Sequence, residues 1–89
     1  MTAAEDSPEH QRDQHFPVYR RMAHGKHFYR IEGPAAFTDV QLVGSRSIVH
    51  VVSEAVYPER VRITHMLACE PPYVEMDAAE WDALYARIG

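Results

Sequence analysis

The chain predicts an α+β domain: a small, mainly antiparallel twisted sheet of two hairpins plus short strands, with one C-terminal helix packed on a face. Two segments of strand composition each fold about a glycine, at Gly25 and Gly44. Near the end, Trp81, Leu84, Tyr85 and Ile88 recur at i, i+3, i+4 and i+7, the spacing of one helical face. Prolines at 34, 58, 71 and 72 separate the remaining short elements. A closed small barrel of SH3-like type, with the helix as a terminal plug, is the alternative architecture.

Residues 1–15 hold no apolar side chain larger than Ala apart from Met1. Such a segment buries too little to offset the entropy of ordering, so it reads as a flexible acidic and polar tail. Residues 16–89 form a single α+β domain. The first hairpin runs from Pro17 to Glu32 around His24-Gly25, where glycine supplies the positive φ of a tight turn. A two-residue loop there sets Met22 against His27, Arg20 against Tyr29 and Val18 against Ile31. Tyr19–Arg30 and Arg21–Phe28 fall on the other face, and both faces are mixed. Gly33-Pro34 then breaks the strand.

The second hairpin joins 37–43 to 48–53 around Gly44-Ser45-Arg46-Ser47. A two-residue loop at 44–45 sets Leu42 against Ser47 and Gln41 against Ile48. A four-residue loop at 44–47 sets Leu42 against Val49 and Val40 against Val51, gathering an apolar face, and is the register expected on that ground. Gln41, Asp39, His50 and Val52 then form the outer face.

After Tyr57-Pro58, Val61 and Ile63 alternate with Arg60 and Arg62, as in a short edge strand at 60–63 followed by a helical turn at 65–69. The other reading of 58–69 is one helix, with Ile63, Met66 and Leu67 on a shared face and Val61 pointing away. Pro71-Pro72 forbids continuation, and Tyr73–Met76 forms a last strand. Asp77 followed by Glu80 is a capping-box spacing, with Met76 placed to staple onto Trp81. The helical stripe is expected to meet Val40, Leu42, Val49 and Val51.

At 89 residues the chain has room for one domain with a modest core, which makes dimerisation an option. Its apolar content of 46% and charged content of 25% are those of a soluble globular protein. No apolar run approaches the roughly 20 residues of a membrane-spanning helix. The N-terminus lacks the apolar core of a secretory signal, and the single cysteine, Cys69, cannot form an internal disulfide; together these predict a cytoplasmic protein. The net charge of −4 is polarised. Residues 14–31 carry Arg20, Arg21, Lys26 and Arg30 with no acid, whereas residues 70–89 set five acids against Arg87.

No pattern of catalytic chemistry emerges. Six histidines and Cys69 offer one loose pair, His24 and His27, without the two close ligand pairs of a structural zinc site, so no metal or cofactor is expected. Strand alternation sends Ser53 to the opposite face from His50, which spoils a relay with Asp39. The four glycines are scattered, so no phosphate loop exists.

The expected function is therefore that of a non-catalytic interaction domain, binding a protein partner or itself through a sheet edge or the basic hairpin face. Arg60 and Arg62 are expected to guard one edge. The candidate binding residues are Arg20, Arg21, Lys26, His27, Phe28, Tyr29 and Arg30. The alternative is a single-stranded nucleic-acid module using residues 19–30, since cations interleaved with aromatics can follow phosphates while bases stack. Against it stands a pI near 5.8, below the range of basic nucleic-acid domains.

Overall fold

The computed structural model describes residues 15–88, so all of the expected tail except His15 lies outside the described residues. Five strands form one open antiparallel sheet: β1 (Val18–Met22), β2 (His27–Gly33), β3 (Ala36–Val43), β4 (Arg46–Val52) and β5 (Tyr73–Glu75). Their order is β4-β3-β2-β1-β5, which leaves β4 and β5 as the two edges. Helix α1 (Glu59–Leu67) and helix α2 (Ala78–Ile88) complete the α+β fold.

The first hairpin takes the register expected from a turn at Gly25, with Val18 opposite Ile31 and Arg20 opposite Tyr29. The second does not take the expected four-residue loop. Gln41 pairs with Ile48, Leu42 with Ser47 and Val43 with Arg46, leaving a two-residue turn at Gly44-Ser45. Gly44 has φ +63°, and Ser45 is not among the residues of positive φ. That is the type II′ pattern, whose twist matches the flanking strands. The local turn chemistry outweighs the gathering of valines.

The segment 58–69 also differs from the expected edge strand. It is a helix over Glu59–Leu67, entered at Pro58 and carrying Ile63 and Met66 inward. The i, i+3, i+4 spacing of Ile63, Met66 and Leu67 prevails over the shorter alternation at 60–63 because the sheet has a second apolar face to cover. Arg60 and Arg62 therefore lie on a helix and guard no edge.

Each face has its own helix and its own core. On the Phe37 face, Ile63 and Met66 of α1 pack with Val18, Tyr29, Ile31, Phe37 and Ala55. On the opposite face, Met76, Trp81 and Leu84 pack on Val40, flanked by half-buried Tyr19, Phe28, Leu42 and Ile88. Trp81 is only 2% exposed, 6.0 Å from the Tyr19 ring and stacked 5.5 Å from Tyr85. The helix thus meets Val40 and Leu42 as expected but leaves Val49 and Val51 uncovered, because α2 lies over the middle of the sheet. Tyr85 is itself 44% exposed. Asp77 occupies the helix entrance, its carbonyl accepting from the Trp81 N–H at 3.1 Å.

Candidate functional site

The basic hairpin is divided between the two faces, because successive strand residues point in opposite directions. Arg20 lies on the α1 side, where its Nε donates to the Met66 carbonyl at 2.8 Å and Nη2 to the Leu67 carbonyl at 3.3 Å. Its charge thereby sits at the negative end of α1. Arg21 lies on the α2 side, its Nε 3.9 Å from a Glu80 carboxylate oxygen. Arg30 shares that face and stands 3.9 Å from Glu32. Lys26 is exposed in the turn, and His27 places Nδ1 3.3 Å from Asp39.

The aromatic members turn inward. Phe28 packs beside the α2 core, and Tyr29 is fully buried, edge-on to Phe37 and Tyr73. Burial, with a smaller contribution from the nearby Asp39 charge, raises the Tyr29 pKa to about 12, while Arg62 acts in the other direction. Arg62 donates to the Tyr29 hydroxyl at 3.5 Å and lies 5.3 Å from the Phe37 ring centre, a cation–π arrangement. Its own pKa is raised: burial opposes the charge, but Tyr73 and Tyr29 outweigh it. The hairpin sequence therefore supplies a helix clasp and two cores, and its cations do not converge on exposed rings.

Strand β4 is different. All seven of its positions pair with β3 without a shift in register, and all but the half-buried Val52 are exposed. Ile48 is 53% exposed, Val49 38% and Val51 66%. Because Val43 and Arg46 flank a two-residue turn, they form a hydrogen-bonded pair, and hydrogen-bonded pairs alternate along the ladder. Arg46, Ile48, His50 and Val52 thus direct their main-chain groups toward β3. The Leu42 N–H donates to the Lys26 carbonyl at 3.0 Å, the same alternation seen from the other side of β3. Ser47, Val49 and Val51 are left with N–H and C=O groups aimed outward from the sheet.

The two edges are unequally protected. β5 has three residues and follows Pro71-Pro72, two features that blunt an edge. β4 has seven, with no Pro, no Lys, no bulge and only one charged residue, Arg46. The sequence pointed to a sheet edge but not to β4, because Val49 and Val51 are expected there beneath the C-terminal helix, which does not reach them. Gly44-Ser45 between two β-branched runs was the signal for a two-residue hairpin.

Other chemistry is sparse among the described residues. No group of three or more His, Cys, Asp or Glu side chains is placed to hold a metal ion. A groove of about 160 Å³ lies between the β3–β4 turn and the end of α2, bordered by Arg46 and Arg87. It is smaller than the several hundred Å³ of ordinary ligand pockets. No described helix is long and apolar enough to cross a membrane. Comparison of the chain with family models, with curated proteins and with solved structures gave no match.

Proposed function

We propose that this protein is a small non-catalytic interaction module that receives an extended strand along the free edge of β4. One observation carries the reading: a seven-residue outer strand, continuously paired on one side, presents exposed β-branched side chains on both faces and has no Pro, Lys or bulge to block pairing. Strand addition draws affinity from main-chain bonds and specificity from alternate side chains. Here the bonds come from Ser47, Val49 and Val51, and the side chains are Ile48 and His50 above the sheet and Val49 and Val51 below it. The basic hairpin is the weaker candidate, since Arg20 and Tyr29 are committed to the interior contacts described above. Cys69, a free thiol and the sole cysteine, supports a reducing, cytoplasmic setting.

Titration of isotope-labelled protein with extended peptides of alternating β-branched residues tests this. The amide signals of Ser47, Val49 and Val51 should shift and their exchange should slow. A response confined to Lys26, Arg30 and their neighbours would move the site to the hairpin and discard the β4 edge.

A further inference from the structure

We infer that the strand received by β4 is β4 of a second copy of this chain, running antiparallel about a two-fold axis at Val49. This rests on the β4 edge being the binding surface. The three outward-facing residues, Ser47, Val49 and Val51, are spaced symmetrically about Val49. An axis there sets Val49 against Val49 of the second copy, and Ser47 against its Val51. Every outward N–H and C=O of both strands then has a partner, as an isologous contact requires. Moving the axis to Ile48 puts Val51 against Ser45 in the turn. Moving it to His50 puts Ser47 against Ser53, beyond the end of β4.

Side chains and charge agree with the central register. On the α2 face, the two Val49 side chains meet and Val51 lies opposite Ser47 of the second copy. On the α1 face, Ile48 lies opposite His50, and Arg46 opposite Val52. Arg46, the only charged residue of β4, then lies at the end of the ladder where the second copy's chain carries the exposed Glu54, which turns out of the strand at φ +55° just beyond Val52. The two Arg46 side chains sit at opposite ends of the ladder, about 20 Å apart at ~3.4 Å per residue. No like charges meet, and each end of the ladder carries one base and one acid. The strand is its own complement in hydrogen bonding, and no like charges oppose the pairing.

Sedimentation over a concentration series, with wild type, Val49→Pro and Val51→Lys compared, tests the pairing. The Val49 N–H points away from β3, so proline removes an outward donor without breaking the β3–β4 ladder. Val51 is exposed in the single chain, so lysine disturbs no core contact. Wild type should form a dimer, and each variant should weaken it at least about tenfold, the loss of one or two main-chain bonds. In a Cys69→Ala background, mixing Ser47→Cys chains with Val51→Cys chains should give the mixed disulfide ahead of either like pair, which reads the register. A wild type that stays monomeric overturns self-pairing; peptide-induced shifts at Ser47, Val49 and Val51 would then leave the edge reading standing. A dimer unaffected by both substitutions places the self-association elsewhere and overturns self-pairing at β4, while the peptide titration still decides the edge reading.

Discussion

Arg20 and Met66, 46 residues apart, are joined by a 2.8 Å hydrogen bond from the guanidinium Nε to the helix carbonyl. The last turn of α1 is fully accounted for around it. Ala68 donates to the Thr64 carbonyl at 3.1 Å, Cys69 to Met66 at 3.0 Å and Glu70 to His65 at 3.0 Å. The last two bonds form a Schellman motif, and Arg20 supplies the donor that Leu67 otherwise lacks.

Replacing Arg20 by Met should therefore destabilise the fold by about 2–3 kcal/mol, the range for hydrogen bonds to a charged group with carbonyls left short of donors. Arg20→Lys should recover only part of this, because an ammonium cannot serve two carbonyls in the planar fork of a guanidinium. Urea unfolding of the three proteins checks both statements. A Met variant as stable as wild type would remove Arg20 from the architecture.

Tyr29 sets a limit at high pH. Its folded pKa of about 12 lies above the ordinary value of 10, so the folded state holds the phenolic proton more tightly than the unfolded chain. Stability from this group is complete below pH 10 and falls as pH rises toward 12, by about 2–3 kcal/mol in all. Tyr29→Phe should flatten that part of the pH–stability curve while keeping the ring packing against Phe37 and Tyr73. Denaturant midpoints across the alkaline range, with tyrosinate absorbance as a second signal, provide the measurement.

The reliability of the sequence followed how local each signal was. The α2 stripe was legible from its spacing, and the first hairpin register from the turn at Gly25 alone, since both faces of that hairpin are mixed. At 44–47 spacing and turn residue disagreed: the valines favoured a longer loop and Gly44-Ser45 a shorter one. Conformational preference at Gly44 prevailed, since α2 never reaches far enough to reward burial of Val49 and Val51. The 60–63 alternation misled for a related reason. Four residues fit a strand or a helix equally well, and only the uncovered Phe37 face decides between them. Arg20 as a helix clasp was beyond sequence reasoning, because its partners are set by how α1 lies across β1.

Gly44→Ala should cost about 1–2 kcal/mol, the penalty for an L side chain at positive φ. No atom lies within 4 Å of the added methyl position, so the cost is conformational and not steric. Thermal melts should show it directly. An unchanged midpoint would mean that the turn relaxes to another type, and with it the register that orients Val49.

Trp81 and Glu80 are neighbours on α2 with opposite expected weight. Trp81 fills the core over Val40, so Trp81→Ala should lose about 3–5 kcal/mol. The Glu80–Arg21 pair is separated by 3.9 Å, with side chains 38% and 52% exposed, so Glu80→Gln should change stability by under about 1 kcal/mol. Chemical unfolding of both variants tests the contrast. A large loss for Glu80→Gln would show that the carboxylate does more than stand 3.9 Å from Arg21.

Cys69 ends α1 in the left-handed conformation, at φ +55°, the Schellman position that glycine usually fills. An L residue there is disfavoured by about 1–2 kcal/mol, whereas glycine gives back about 0.4–1 kcal/mol through the greater freedom of the unfolded chain. Cys69→Gly should therefore stabilise the protein by about 0.5–1 kcal/mol, while Cys69→Ala, which keeps the strain and loses the half-buried thiol, should not. Both variants keep the Met66 and His65 carbonyls bonded, so Arg20 remains seated and the comparison isolates one backbone angle. If calorimetry finds Cys69→Gly no better than Cys69→Ala, packing of the sulfur, and not relief of φ, governs this corner.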